Sequence, residues 1–103
     1  MSDDDTPHWT FLSRHAQALL CIARDPDIRL RDIADRLGVT PRAAQHLVNE
    51  LRDAGAVTCE RRGRRNHYFI VRDHPLRHPF EADHTVEELL ALLEGKGGTG
   101  TAA

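Results

Sequence analysis

The chain has 103 residues, which is the size of one domain and excludes a multidomain enzyme. Apolar residues make up 40% of the chain and charged residues 29%, a composition typical of a globular protein rather than a disordered one. The formal net charge of −2, taken over the whole chain, argues against a protein coated with positive charge.

The charges are nevertheless unevenly distributed along the sequence. Residues 40–72 contain seven arginines against three acidic residues. Residues 1–39 contain five arginines against seven aspartates, and residues 73–103 contain two basic residues against six acidic ones. A basic block between two acidic ones predicts a localised anion-binding surface.

The two ends are predicted to be tails. Residues 1–9 are acidic and polar, and residues 95–103 are rich in glycine without a large apolar side chain, so the ordered domain is expected over 10–94. The acidic start lacks the pattern of a secretory signal, and no apolar run approaches the roughly 18–20 residues that span a bilayer. Two cysteines imply no disulfide framework and favour a cytoplasmic protein.

Two helices are predicted in the first 40 residues. The first runs from Phe11 or Ser13 to Arg24, because its apolar residues recur at helical spacing and the following Asp-Pro pair disfavours further helix. A short extended segment is expected over 28–30. The second helix is predicted over 31–37 and ends at Gly38, since glycine readily adopts the left-handed conformation of a helix end.

The third helix has the clearest boundaries. Thr40 is the predicted N-cap, Pro41 takes the first helical position, and Gly55 follows the end. The residues predicted to be buried form one stripe: Ala44, Leu47, Val48 and Leu51.

A β-hairpin is predicted after the third helix. Residues 56–60 alternate as a strand, 61–66 form an arginine-rich turn, and 67–71 form the return strand. Residues 73–84 are expected to be irregular because they contain two prolines. A last helix is predicted over 85–94, with Glu88 placed for a capping box to Thr85. The sequence therefore predicts a mainly α domain with a small β-hairpin.

The third helix carries the candidate binding face. Only three residues, 38–40, join it to the second helix, and a turn this short fixes a large crossing angle and leaves one face protruding. That face carries arginine, which suits guanine edges, and glutamine and asparagine, which suit adenine edges. The helix N-terminus and the Thr40 hydroxyl suit a phosphate. The pattern predicts binding to double-stranded DNA, with the hairpin arginines on the flanking backbone or minor groove.

The stretch from Arg29 to Val57 resembles the helix-turn-helix of bacterial winged-helix transcription regulators of the MarR/ArsR type. The resemblance rests on Asp-Ile-Ala-x-x-Leu-Gly-Val-Thr at 32–40, on Leu-x-x-Ala-Gly-x-Val at 51–57, and on a wing-like Arg-Gly-Arg-Arg-Asn-His-Tyr at 62–68. It covers about residues 12–72 and implies a winged helix-turn-helix, a third helix in the major groove, and a homodimer on a near-palindromic site. Typical MarR proteins are longer, with extensive terminal helices, and typical ArsR metal sensors carry a Cys-x-Cys box that is absent here.

The resemblance and the exposed pattern together assign the expected site. The DNA-binding residues are Thr40, Pro41, Arg42, Ala43, Gln45, His46, Asn49, Arg62, Arg64 and Arg65. The expected dimer interface uses apolar residues of the first and last helices: Leu12, Leu19, Val86, Leu89, Leu90 and Leu93. The predicted function is a sequence-specific DNA-binding regulator of the repressor type, with no catalytic residue, metal or cofactor.

Two other classes of function compete with this one. A winged-helix module that binds proteins instead of DNA is the alternative, and the basic hairpin argues against it. A small enzyme is disfavoured for two reasons. The sequence shows no nucleophile–base set, and no phosphate-cradling glycine loop lies before the third helix.

The histidines and cysteines have simpler interpretations than a metal or redox site. His74, His78 and His84 lie close in sequence, but the intervening prolines disfavour the helix that would bring them to one face, so no zinc site is expected. Cys21 and Cys59 are expected to pack as small apolar residues rather than to act as a redox switch.

Overall fold

The structure is a computed structural model that describes residues 9–94. The predicted tails lie outside these residues, except for Trp9. The elements in chain order are α1 (Arg14–Arg24), α2 (Leu30–Leu37), α3 (Pro41–Asp53), β1 (Val57–Arg62), β2 (Arg65–Ile70) and α4 (Val86–Glu94). The predicted fold class, mainly α with a small hairpin, is confirmed. None of these helices is long and apolar enough to cross a membrane.

Local side-chain caps explain where the helices begin. The side-chain oxygens of Ser13 and Thr40 each accept the amide hydrogen of the residue three positions further on, at 3.1 and 3.0 Å. The predicted capping box opens α4: the Thr85 amide donates to the Glu88 carboxylate at 2.8 Å, and the Glu88 amide donates to the Thr85 hydroxyl at 3.3 Å. These bonds satisfy amide groups that have no partner inside a helix.

The turn between α2 and α3 depends on Gly38. Its φ is +72°, and its amide donates to carbonyl oxygens of the last turn of α2. This left-handed residue ends α2 and changes the direction of the chain, so that α3 begins three residues later at an angle to α2. The second helix begins at Leu30, one residue earlier than predicted, so the extended segment is correspondingly shorter.

The core lies between the four helices and the inner face of the hairpin. Its largest fully buried side chains come from every layer: Ile22, Ile33, Leu90, Val48 and Val57. No buried polar or charged side chain occurs in the part of the chain that the structure describes. The α3 stripe is buried as predicted, except that Leu47 is only half-buried.

The hairpin is tighter than the sequence predicts. Its strands pair in antiparallel register from Val57 opposite Ile70 to Arg62 opposite Arg65. The predicted turn over 61–66 is therefore wrong, because only Gly63 and Arg64 lie outside the strands. Gly63 has a φ of +63°, and a positive φ at the first central residue is what a two-residue hairpin turn requires.

Residues 71–85 form no helix or strand, which confirms the irregular segment predicted over 73–84, but their backbone is well hydrogen-bonded. The return strand ends at Ile70 and does not reach Val71 as predicted. The Val86 amide donates to the His74 carbonyl at 2.9 Å, and the Leu76 amide donates to the His84 carbonyl at 2.9 Å. The segment therefore closes on itself and places α4 over the core beside α1.

Candidate nucleic-acid interface

One face of α3 is polar and open to solvent. Arg42, His46 and Asn49 are exposed on this face, and Gln45 is half-buried between them. At 100° per residue these four positions lie within about a third of the helix circumference, opposite the apolar stripe. A DNA major groove is wide enough to admit an α-helix with such a face turned towards the base edges.

Two amides on this face already contact each other. The Gln45 side-chain amide donates to Oδ1 of Asn49 at 2.9 Å, one helical turn away. The bond holds both side chains over the same patch of the helix surface. Each amide retains hydrogen-bonding groups that can meet a base edge.

The start of α3 offers backbone amides and a hydroxyl to an anion. Thr40 and Pro41 are exposed there, and Ala43 is half-buried. The Thr40 oxygen accepts the Ala43 amide, so its own hydroxyl hydrogen remains available to donate. Partial positive charge at a helix N-terminus favours a phosphate at this place.

The arginines of the hairpin differ in what holds them. Nε of Arg61 donates to the Gly63 carbonyl at 3.0 Å. The Arg62 guanidinium lies 3.4 Å from the Glu60 carboxylate and 5.8 Å from the centre of the Phe69 ring. Both side chains therefore lie along the hairpin.

The remaining two arginines lie at the turn. Nη1 of Arg65 donates to the Asp27 carbonyl at 3.0 Å, which ties it to the loop after α1. Arg64 is exposed at the tip, and within residues 9–94 it makes no side-chain hydrogen bond or ion pair. It is the wing arginine best placed to meet a phosphate.

The seventh arginine of the basic block, Arg72, belongs to a different contact. Its guanidinium donates to Glu87 at 2.7 Å and to Glu94 at 3.4 Å, both on α4. The hydrogen bond to Glu87 raises the pKa of Arg72 above its usual range. Arg72 therefore ties the end of the hairpin to α4, and the other six arginines of the basic block lie on α3 and the hairpin.

The predicted dimer residues fall into two groups. Leu19, Val86 and Leu90 are buried in the core of their own chain, so in this conformation they are covered before any partner arrives. This part of the stripe packs inward within the chain, and the predicted interface itself stays a prediction. Leu12, Leu89 and Leu93 are half-buried and remain accessible.

The structure exposes other large apolar side chains that the sequence did not assign. Phe11, three residues before α1, is 92% exposed. Leu92, in the last turn of α4, is 77% exposed. Trp9 stacks edge-to-face on Phe11, with ring centres 4.9 Å apart. The only sequence signal for Leu92 is that it lies off the buried stripe of α4.

The three clustered histidines have separate partners. His74 contacts the carbonyl oxygens of Ala54 and Pro75, His84 contacts Glu88, and His78 accepts the Phe80 amide. Residues 9–94 contain no group of three metal-ligating side chains that could hold a metal ion.

The two thiols differ in exposure. Cys21 is buried, and burial raises the pKa of its thiol, an effect that Arg36 and Arg24 oppose to a smaller extent. A raised pKa lowers the thiolate fraction at neutral pH. Cys59 is half-buried on β1.

Comparison with known proteins decides the family. The sequence model of the MarR family matches residues 10–65, which include α1, the whole helix-turn-helix and the tip of the hairpin. The chain belongs to the MarR family. Proteins of this family are DNA-binding transcription regulators rather than enzymes, and this MarR-family protein is a DNA-binding transcription regulator. No curated protein matches the chain closely enough to add a more specific relative.

Proposed function

We propose that this MarR-family protein is a homodimeric repressor that recognises a near-palindromic site in double-stranded DNA. In this proposal α3 lies in the major groove. The wing, which is the hairpin of β1 and β2, lies on the adjacent backbone or minor groove. The observation that carries the proposal is the exposed polar face of α3, where Arg42, Gln45, His46 and Asn49 share one side of a helix that Gly38 turns outward.

The division of labour follows from the chemistry of each element. Gln45, Asn49 and Arg42 would contact base edges, because amides and guanidinium groups can make paired hydrogen bonds to adenine and guanine. Thr40, the first amides of α3 and the wing arginines would contact phosphates. Base contacts specify the sequence, whereas phosphate contacts supply affinity that falls as salt rises.

A homodimer is supported by the apolar side chains left accessible just before α1 and on α4. Leu12, Leu89 and Leu93 are half-buried, and Phe11 and Leu92 beside them are largely exposed. A small domain gains stability when such side chains are covered by a second copy. Twofold symmetry would then present two α3 helices to successive major grooves, about 34–36 Å apart.

Repression is the simplest regulatory outcome, since a dimer seated on DNA excludes other proteins from the same base pairs. Such a regulator would act in the cytoplasm, on a promoter that contains its site. A reporter gene behind the selected site should be expressed less when the protein is present, and increased expression would indicate an activator.

The direct test of DNA reading is selection of bound sequences from a random double-stranded pool by the purified full chain. We expect an enriched palindrome with half-sites about 10 base pairs apart. The matched control is the triple variant Arg42→Ala, Gln45→Ala, Asn49→Ala, which should retain weak binding without enrichment. Equal recovery of all sequences by the unaltered protein would contradict sequence-specific binding and favour a protein-binding module.

A further inference from the structure

The wing is fastened to the loop that follows α1. The Tyr68 amide on β2 donates to the Pro26 carbonyl at 2.9 Å, so this loop lies against the edge of β2 that does not pair with β1. The loop thereby supports the middle of β2. The wing tip at Arg64 lies four residues from this bond and needs a further attachment to keep a fixed direction.

Asp27 provides that attachment twice. Its carboxylate lies 2.6 Å from Nδ1 of His67, and its carbonyl accepts Nη1 of Arg65 at 3.0 Å. Both partners lie on β2 between Tyr68 and the tip. The His67 side chain is only 18% exposed, so its bond to Asp27 is partly shielded from competing water.

Asp27 is itself held in place within the loop. Its amide donates to Oδ1 of Asp25 at 3.1 Å, and the amide of Ile28, whose side chain is buried in the core, donates to the Asp25 carbonyl at 3.0 Å. The loop is therefore anchored in the core on one side and bound to the wing on the other.

We infer that Asp27 sets the direction of the wing, with His67 and Arg65 as positioning residues and Arg64 as the residue that meets the phosphate. The inference rests on the proposed DNA-binding function. It changes the role expected for Arg65, since its guanidinium binds the Asp27 carbonyl of its own chain rather than a phosphate. It also assigns a role to an acidic residue in a DNA-binding domain, where acidic charge by itself opposes binding.

Whether Asp27→Ala weakens or strengthens DNA binding distinguishes a positioning role of Asp27 from a purely electrostatic one. If Asp27 acted only as a negative charge, removing it would strengthen DNA binding. If Asp27 positions the wing, Asp27→Ala should weaken binding about fivefold, the usual net value of one hydrogen bond. Asp27→Asn keeps an oxygen that accepts from His67 and should bind at least as tightly as the unaltered protein. Asp35→Ala on α2 is the matched control, because it removes one exposed charge and no wing contact.

Salt dependence separates the two arginines. We measure affinity of the full chain for one DNA duplex over a range of salt concentrations. Arg64→Ala should lower the slope of log affinity against log salt by about one, the loss of one phosphate contact. Arg65→Ala should weaken binding with a slope close to that of the unaltered protein. An equal loss of slope in both variants, or unchanged or tighter binding by Asp27→Ala, would overturn the inference.

A measurement without DNA keeps this inference separate from the proposed function. Hydrogen exchange of the Tyr68 amide should be faster in Asp27→Ala and in His67→Ala than in the unaltered protein, while core amides of α3 stay protected. Exchange in the double variant should be no faster than in either single variant, because both remove the same bond. Unchanged exchange at Tyr68 would overturn the positioning role even if DNA binding is confirmed. Failure of the unaltered protein to bind DNA at low salt would overturn the proposed function alone.

Discussion

The side-chain amide of Gln45 donates to Oδ1 of Asn49 at 2.9 Å on the exposed face of α3. Two of the three residues proposed to meet base edges are thus partners of each other before DNA arrives. The bond fixes how each amide group is turned towards a base, while each keeps a free donor and acceptor, so their contributions to recognition are coupled.

We expect Gln45→Ala and Asn49→Ala each to reduce discrimination at particular base pairs by about 1–3 kcal/mol. The double variant should lose less than the sum, since either substitution already breaks the shared bond. Titration against the selected site and single-base-pair variants of it measures both effects. Gln17→Ala on α1 is the control and should leave base preference unchanged; strict additivity of the two α3 substitutions would argue against coupling.

Thr40 is expected to contribute to both stability and binding. Thr40→Ala removes the oxygen that caps α3 and should lower the free energy of unfolding by about 1 kcal/mol, measured by urea denaturation. Ser13→Ala removes the equivalent cap of α1 and should cost a similar amount. Only Thr40→Ala should also weaken DNA binding, and Thr40→Ser should restore both properties. A similar binding loss in Ser13→Ala would show that the effect comes from stability alone.

Gly63 is expected to tolerate few replacements. A Cβ there would meet no neighbouring atom within 4 Å, but the φ of +63° disfavours other residues. Gly63→Ala should therefore lower stability by about 1 kcal/mol through backbone strain alone, which shifts the melting temperature by about 4–8 °C in a domain of this size. Gly63→Asn should cost less, because asparagine enters the left-handed region more readily. Equal melting temperatures for glycine and alanine at this position would contradict the turn geometry.

The two thiols should react at different rates. Because burial raises the pKa of Cys21, its thiolate fraction at a given pH is smaller than that of an ordinary thiol and increases only at higher pH. In a Cys59→Ser variant, an aromatic disulfide reagent should react slowly with Cys21 in the folded protein and quickly after unfolding. The Cys21→Ser variant should react faster under the same conditions. Rapid reaction of Cys21 in the folded state would show that the thiol is accessible.

The dimer should depend on the exposed apolar residues rather than on the buried stripe of α4. Leu92→Glu places a charge on an accessible position and should shift the protein towards monomer in sedimentation velocity, with weaker binding to a two-half-site duplex. Leu90→Glu is different, because Leu90 is fully buried, and it should unfold the domain. Ala91→Glu is the matched control, because it adds the same charge at another exposed position of α4 and removes no described contact. A Leu92→Glu protein that remains a dimer would place the interface elsewhere.

Local chemistry explains why most of the fold was predictable. Caps at Ser13, Thr40 and Thr85 and the glycine at 38 are signals within a few residues, and each marks a helix end in the structure. The turn at 61–66 was mispredicted because a run of arginines is typical of a loop. Its actual length is fixed by pairing of the strands up to the left-handed Gly63.

Long-range contacts explain what the sequence did not reveal. Asp27 and His67 are 40 residues apart. His67 lies in the wing-like motif at 62–68, but Asp27 belongs to no motif, so no pattern predicts their bond. The spacing of Leu19, Val86 and Leu90 correctly indicates apolar faces, but spacing alone does not distinguish a chain's own core from a partner. The residues of α3 were easier to assign, because a helix with one buried stripe must expose the opposite side.

One strand of the hairpin, β2, runs from the core to the tip proposed to contact DNA, so its register sets the orientation of residues at both ends. Tyr68 is buried in the core, and Arg65, which adjoins the tip, lies on the same short strand. Since side chains alternate along a strand, inserting one residue between Arg65 and Tyr68 would exchange the inward and outward faces of the strand residues that precede the insertion. Variation in wing length among proteins built in this way should therefore occur in steps of two residues, or be confined to the turn itself.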